Sequence, residues 1–204
     1  MPTHDTQETR ASLIGRLPSV DDVAAWDEFV RLYGPVVRRT ADRLGMQTAD
    51  ADDLLQEVFS SVARSIGDWL QRSNRGRFRF WLESVARHAA INLLTRRSTR
   101  PIGDRATAQT LPENLASVDP VTEAFDVEYR REIFLCAADA VRSQVADATW
   151  RAFELTHLDG QPIADAAAEL GVSEAAIYVS RSRVMSRLRA KVRQLEAELS
   201  GVSP

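Results

Sequence analysis

Apolar residues along this chain of 204 residues recur every three to four positions, and strand-like alternation is almost absent. The first amphipathic stretch runs from about Asp22 to Leu44 and is closed by Gly45, with Pro35 inside it as a place for a kink or a break. The other long stretches predict helices over Asp50–Ile66, Phe78–Arg97, Pro120–Arg142 and Asp147–His157. The pattern therefore predicts an all-α fold.

A pair of helices around a tight turn is predicted near the end of the chain, within Pro162–Arg193. Gly171 supplies the left-handed residue that ends the first helix, and Ser173 then caps the second. Ile177 and Val184 are predicted to face inward, while the basic residues of the second helix face outward. This arrangement is typical of a helix-turn-helix, which places its second helix in the DNA major groove. The alternative is a helical hairpin with a solvated basic face.

The predicted helices fall into two groups separated by a stretch of weak periodicity that contains Pro101, Gly103 and Pro112. We therefore expect two small helical domains joined by a flexible linker. The expected parts are an N-terminal tail (1–20), a first domain (21–98), the linker (99–120), a second domain (121–199) and a C-terminal tail (200–204).

The distribution of charge points to a polyanionic partner, although the formal net charge is −3. Between Arg72 and Arg100, eight arginines against one glutamate give +7. Between Ser173 and Arg193, six basic residues against one glutamate give +5. Local patches, rather than the total charge, determine attraction to phosphates, because solution screens charges over about 10 Å. Each predicted domain thus has one candidate surface for nucleic acid.

Several classes of protein are disfavoured by the composition. Cys136 is the single cysteine, so no disulfide forms within the chain, and its apolar neighbours predict a buried side chain. The three histidines lack metal-ligand spacing, and there is no glycine-rich phosphate loop. No apolar run is long enough to span a membrane, and the N-terminus does not resemble a signal peptide. We expect a cytoplasmic protein that is not an enzyme and uses no cofactor or metal.

An acidic stripe marks the second predicted helix, in the segment DADDLLQEVF (Asp50–Phe59). Asp50, Asp53 and Glu57 are spaced by three and four residues, which places them on one helix face. This face is a candidate docking surface for a basic partner helix. The alternative is a solvated face whose carboxylates stabilise the helix N-terminus.

A basic loop containing glycine precedes the third predicted helix, which mixes arginines with aromatic residues between Gln71 and Arg97. Such a mixture suits a single-stranded nucleic acid, because arginines contact phosphates and aromatic rings or pockets receive unstacked bases. Phe78 and Trp81 are expected in the core. The expected contact residues are the polar loop Ser73–Arg77 and the helix residues Arg87, His88, Asn92 and Arg96.

Three segments together resemble the extracytoplasmic-function group of the sigma-70 family. DADDLLQEVF resembles the region 2 signature, and FRFWLESVARHAAINLLTRR resembles the segment that comes after it in the family. IADAAAELGVSEAAIYVSRSRVMSRLR resembles the helix-turn-helix of region 4. His88 and Asn92 depart from the Asn and Asp that the family often has, and Tyr178-Val179-Ser180 departs from its usual basic and small polar mixture.

The resemblance implies an RNA polymerase sigma factor that binds core RNA polymerase and directs promoter-specific initiation. It places polymerase docking at Asp50, Asp52, Asp53, Leu54, Gln56 and Glu57. It places binding and melting of the minus-ten element at Ser73, Asn74, Arg75, Arg77, Arg87, His88, Asn92 and Arg96. It places reading of the minus-thirty-five element at Ser173, Glu174, Ala176, Tyr178, Val179, Arg181, Ser182 and Arg183.

The implied partners are core polymerase and promoter DNA, as a duplex at region 4 and as a melted strand at region 2. A monomer is expected for the free chain, and the sequence leaves open whether an anti-sigma factor binds it. Two other classes of protein are alternatives. A conventional helix-turn-helix regulator would bind duplex DNA without polymerase, and a sigma mimic would bind an anti-sigma factor without contacting a promoter.

Overall fold

The computed structural model describes residues 13–98 and 120–199, and within these ranges the regular secondary structure is entirely helical. This confirms the predicted all-α fold. The helices are α1 (Val23–Arg43), α2 (Thr48–Gln71), α3 (Phe78–Ser98), α4 (Pro120–Arg142), α5 (Asp147–Phe153), a π-helix (Glu154–Leu158), α6 (Ile163–Leu170) and α7 (Glu174–Leu199).

The first helix begins and ends where its sequence signals predict. The Asp22 carboxylate accepts a hydrogen bond from the Ala25 N–H at 3.1 Å, and Gly45 comes after the helix with a φ of 69°. Pro35 lies inside α1 without splitting it, so the break that the sequence allowed does not occur. The missing N–H costs one hydrogen bond, and burial of the surrounding residues Tyr33, Val36 and Val37 holds the helix together.

Two helices differ from their predicted bounds for physical reasons. The helix α2 extends past Ile66 to Gln71, because Trp69 continues its apolar face and is almost fully buried. The predicted helix over Asp147–His157 is α-helical only to Phe153 and then continues as the π-helix Glu154–Leu158. The spacing of apolar residues does not reveal this change. A single π turn inserts one extra residue into the helical repeat, and one such shift is too small to stand out in the pattern.

The chain divides into two compact units, and the division falls inside α4, between Glu132 and Ile133. The first unit holds α1, α2, α3 and the first half of α4, and the second runs from the second half of α4 through α7 as far as Ala197. The sequence prediction assigned α4, apart from Pro120, to the second domain. The domain limits at 98 and 121 remain a prediction, but the first half of α4 is packed with the first unit.

Aromatic rings form the centre of the first unit. Phe29 of α1 lies 5.5 Å from Phe59 of α2 and 6.1 Å from Phe78 of α3, measured between ring centroids. Phe78 also lies 5.4 Å from Trp69, and both rings are buried. Edge-to-face contacts of this kind add to the stabilisation that comes from burying the rings. The cluster fixes the end of α2 against the start of α3, and so it fixes both ends of the loop between them.

A cluster of charged residues attaches the first half of α4 to α1. Glu128 is only 2% exposed, and its carboxylate accepts hydrogen bonds from Arg39 at 2.8 Å and from Arg43 at 2.7 Å. Arg39 also donates to Glu132 at 2.5 Å. We call these four residues the Glu128 cluster. A buried carboxylate is tolerated only when it is paired and hydrogen-bonded, so these contacts hold α4 in place.

The Glu128 cluster should make the stability of the first unit depend on pH. Burial alone would raise the pKa of the Glu128 carboxyl, but Arg43 and Arg39 lower it below its usual value of 4.5. A lowered pKa stabilises the fold above the unfolded-state value, and this contribution is lost as the pH falls through the folded-state value. We expect the wild type to exceed Glu128→Gln in free energy of unfolding above about pH 5.5, and this difference to shrink below pH 4.5.

Urea unfolding at a series of pH values measures this difference. The variant Glu123→Gln removes an exposed carboxylate from the same helix and controls for the change in net charge. A difference between wild type and Glu128→Gln that stays constant down to pH 3 would show that the cluster does not hold the Glu128 carboxyl ionised.

In the second unit, the two helices of the predicted helix-turn-helix meet in one small core cluster. Ala152, Ala167 and Ile177 form this core, with Ile163 and Leu170 packed against it. Gly171 ends α6 with a φ of 64°, as the sequence predicted. A side chain at this position would be strained, because L residues rarely adopt positive φ.

Loss of the cap on α7 should have a moderate effect on this unit. The Ser173 hydroxyl accepts a hydrogen bond from the Ala176 N–H at 3.2 Å. We expect Ser173→Ala to lower the free energy of unfolding by about 1 kcal/mol, because the Ala176 N–H loses the hydroxyl and keeps only the Ser173 carbonyl oxygen, at 3.0 Å. Thermal unfolding measures this loss. Ser173→Asp keeps a capping oxygen and should retain most of the stability; equal losses in both variants would argue against a capping role.

Candidate nucleic-acid interface

The acidic stripe of α2 is split between buried and exposed side chains. Asp50 is 7% exposed and Leu54 is 1% exposed, so both lie within the fold rather than on its surface. The exposed members of the predicted docking set are Asp52, Asp53, Gln56 and Glu57. A partner approaching α2 would therefore meet these four residues, whereas Asp50 and Leu54 are buried on the inner side of the helix.

Two of the exposed acids already have basic neighbours. Asp52 pairs with Arg38 of α1, and both side chains are solvent-exposed. Glu57 lies 3.2 Å from Arg64, two turns along α2. Exposed pairs of this kind contribute little stability, so they are easily exchanged for a partner's basic groups.

The loop between α2 and α3 holds four of the predicted minus-ten residues at the surface. Ser73, Asn74, Arg75 and Arg77 are all exposed, and they line an open concavity together with Leu70, Gln71, Arg72 and Gly76. Gly76 has a φ of 53°, which turns the chain just before α3 begins. The loop thus presents three arginines, Arg72, Arg75 and Arg77, around one concave surface.

A groove between α2 and α3 brings together residues that the sequence assigned to two different surfaces. Its volume is about 290 Å³, and it is lined by Glu57, Ser61, Trp81, Ser84, Val85, His88, Ala89 and Asn92. Glu57 belongs to the predicted docking set, whereas His88 and Asn92 belong to the predicted minus-ten set. The two predicted surfaces are therefore contiguous in the first unit, which periodicity along single helices did not reveal.

The other predicted residues of α3 differ in their surroundings. His88 is exposed, and its Nδ1 lies 2.6 Å from the Ser84 carbonyl oxygen one turn earlier. Arg96 is exposed near the end of the described part of α3, and Arg87 is partly buried. His88, Asn92 and Arg96 lie along the i, i+4 row of the helix, which is inclined to the helix axis.

Two residues of the basic segment, Arg79 and Phe80, lie outside the predicted contact set. Arg79 forms an ion pair with Asp126 of α4, and its guanidinium lies 4.8 Å from the centre of the Tyr129 ring. Arg79 therefore helps to attach α4 to the first unit. Phe80 is 51% exposed beside the basic loop, whereas Phe78 is buried, as predicted, and Trp81 is half-buried and stacked on Trp69. The sequence did carry a signal for the exposure of Phe80. Its aromatic ring lies between positions 78, 81 and 82 of the predicted inward face, and so off that face.

In the second unit, α7 separates core residues from surface residues as predicted. Ile177 and Val184 are fully buried. The predicted minus-thirty-five residues that are exposed are Ser173, Glu174, Tyr178, Val179, Ser182 and Arg183, while Ala176 and Arg181 are partly buried. Arg181 donates toward His157 Nδ1 of the π-helix at 3.3 Å, a contact that the sequence did not indicate.

The remaining candidate chemistry is limited in the described part of the chain. Cys136 is partly exposed, so its predicted burial is wrong; the neighbouring Phe134 and Leu135 are also exposed, because α4 turns only one face inward. Over residues 13–98 and 120–199, no group of three His, Cys, Asp or Glu side chains is arranged to bind a metal ion. None of the described helices is both long enough and apolar enough to cross a membrane.

The part of the chain that holds the acidic helix and the first basic segment matches a known protein family. The sequence model of sigma-70 region 2 matches residues 29–100, which cover α2, α3 and most of α1. The chain is 34% identical over 90 residues to the ECF RNA polymerase sigma factor SigE of Mycolicibacterium smegmatis, which covers 44% of this chain and 31% of that protein.

Two further relatives match a longer part of the chain. The ECF RNA polymerase sigma factor SigC of Mycobacterium tuberculosis and the probable RNA polymerase sigma-C factor of Mycobacterium bovis are each 36% identical over 134 residues, covering 66% of this chain and 64% of the relative. The chain thus spans less than two thirds of the length of these relatives. The family match and the relatives agree with the residues that carry the resemblance, and together they support an extracytoplasmic-function protein of the sigma-70 family.

Proposed function

We propose that the chain is an RNA polymerase sigma factor that binds core RNA polymerase and directs it to promoters. The observation that carries this proposal is the groove between α2 and α3, where Glu57 faces the same space as His88 and Asn92. A surface that docks on polymerase and a surface that holds a DNA strand would then adjoin each other. The melted strand would then be bound directly beside the surface that docks on polymerase.

The first unit is proposed to bind polymerase and the melted minus-ten strand. The exposed acids and Gln56 of α2 suit a basic helix of the polymerase, and charge complementarity would increase the rate and specificity of docking. In the exposed loop, Arg72 and Arg77 offer phosphate contacts to a single strand. Melting costs about 1.4 kcal/mol per base-pair step, so the strand must be held by the complex rather than by this unit alone.

The second unit is proposed to bind the minus-thirty-five element as a duplex through α7. The exposed side chains at the start of α7 are those that a recognition helix would direct into the major groove. A well-placed arginine–base contact discriminates by about 1–3 kcal/mol. Two weak contacts on one polymerase frame would reinforce each other, because each raises the effective concentration of the other.

Reconstitution with core polymerase tests the proposal. The full chain is mixed with core enzyme and a library of genomic promoter fragments, and run-off transcripts are sequenced. We expect selective initiation at a set of sites that share two spaced elements. Binding to duplex DNA with nanomolar affinity without polymerase, and no selective initiation with it, would favour a conventional helix-turn-helix regulator instead.

A substitution near the end of α3 should separate promoter binding from promoter opening. We expect Arg96→Ala to reduce the open complex by about tenfold and to change the closed complex by less than about twofold, because the lost charge would contact the melted strand and not the duplex. Permanganate footprinting reports unpaired thymines, and mobility shifts report total binding. Equal losses in the two assays would contradict the assignment of Arg96 to the melted strand.

A further inference from the structure

We propose that Arg75 is a positioning residue, which holds the loop between α2 and α3 in shape so that its neighbours Arg72 and Arg77 can contact the DNA strand. The inference rests on the proposed function of the first unit as a binding surface for a single strand. It gives the three arginines of one loop different tasks, which their similar exposure does not indicate.

The Arg75 side chain folds back onto the helix that precedes it. Its Nη1 donates a hydrogen bond to the Leu70 carbonyl oxygen at 2.8 Å, in the last turn of α2. Carbonyl groups at the end of a helix have no partner within the helix, and the negative end of the helix dipole attracts a cation. Arg75 therefore caps α2 from five residues further along the chain.

The same guanidinium is held by an aromatic surface. Its central carbon lies 5.7 Å from the centre of the Trp69 ring, and the Trp69 ring in turn stacks on Trp81 at 5.4 Å. Trp69 is almost fully buried, so the surface under Arg75 is fixed. A cation over an indole ring is a favourable electrostatic arrangement.

Together these contacts restrain the loop at its middle as well as at its ends. The loop begins at Arg72, whose N–H donates to the Trp69 carbonyl, and ends at Phe78 in the aromatic cluster. The turn at Gly76 comes directly after Arg75. Because Arg75 is held over Trp69, Arg72 and Arg77 lie on either side of a fixed point. Preorganisation of this kind lowers the entropy lost when a ligand binds.

A salt series separates the two kinds of arginine. A side chain that contacts a phosphate displaces a counterion, so its removal makes the slope of log K against log salt shallower by about 0.7 for a single strand. A positioning residue lowers the affinity without changing that slope. The probe is a fluorescein-labelled oligothymidylate of about 20 nucleotides, bound by the full chain with and without core polymerase.

We expect Arg77→Ala to weaken binding and to make the slope shallower by about 0.7. We expect Arg75→Ala to weaken binding about fivefold at every salt concentration with the slope unchanged, as for the loss of one hydrogen bond. Without DNA, hydrogen exchange of the loop amides should accelerate in Arg75→Ala and stay as in the wild type in Arg77→Ala. Circular dichroism confirms that both variants retain their helices.

Two results would overturn the positioning role: a slope change in Arg75→Ala equal to that in Arg77→Ala, or loop amides that exchange at the wild-type rate in Arg75→Ala. A wild-type chain that binds no oligothymidylate in either setting would instead refute the strand-binding part of the proposed function. In that case the hydrogen-exchange comparison still decides whether Arg75 restrains the loop.

Discussion

Replacement of Asp53 by arginine is expected to lower the affinity for core RNA polymerase by at least about a hundredfold, because a repelled charge pair at an interface costs several kcal/mol. Asp53 is exposed in the second turn of α2, between the buried residues Ala51 and Leu54. The substitution changes no core contact, so the helix content and the unfolding midpoint should stay as in the wild type. Co-purification with core enzyme and a fluorescence titration measure the affinity.

The matched control for this prediction lies on the same helix. Asp68→Arg makes the same change of charge at an exposed position about four turns further along α2, outside the predicted docking set. It should bind polymerase within about threefold of the wild type, because long-range charge effects are screened at physiological salt. Normal binding by Asp53→Arg, or an equal loss of affinity in both variants, would contradict the assignment of polymerase docking to this surface of α2.

The second large effect is expected in the Glu128 cluster. Arg39→Met keeps much of the aliphatic stem of Arg39 but removes the guanidinium that bridges Glu128 and Glu132. Glu128 is then left buried with fewer donors, and uncompensated buried charge is costly. We expect the free energy of unfolding of the first unit to fall by about 2–4 kcal/mol. Urea unfolding followed by tryptophan fluorescence and circular dichroism measures this loss.

The neighbouring residue provides the control. Arg38→Met breaks the pair with Asp52, but the two side chains of that pair are 41% and 56% exposed. Water replaces the lost partner, so we expect a loss below about 1 kcal/mol. If the two variants were equally stable, the Glu128 cluster would contribute no more than a surface ion pair.

Helix positions could be predicted because they depend on local residues. The predicted helix Pro120–Arg142 matches α4, and the turn at Gly171 with the cap at Ser173 lies where the sequence placed it. These features result from the period of apolar residues and from the chemistry of helix ends. The π-helix was missed because it changes the hydrogen-bond pattern without changing the composition.

The roles of individual charged residues were harder to predict, because they depend on which helices pack together. Asp50 lies on the same helix stripe as Asp53, but α2 is rotated so that Asp50 is buried. Arg79 belongs to a basic segment, yet it pairs with Asp126 across a sequence separation of 47 residues. A single sequence does not report such contacts. The assignment of residues to polymerase and DNA rests on the family resemblance and stays a prediction.

The packing of the first half of α4 determines where the chain should be truncated to obtain a stable first unit. A fragment that stops at residue 98 would lack Phe125 and Tyr129, which are buried, and would leave Arg39 and Arg43 without the carboxylate of Glu128. Apolar surface uncovered in this way tends to associate between molecules. A shortened version that ends just beyond Glu132 would keep these contacts and is the better starting point for studying promoter opening in isolation.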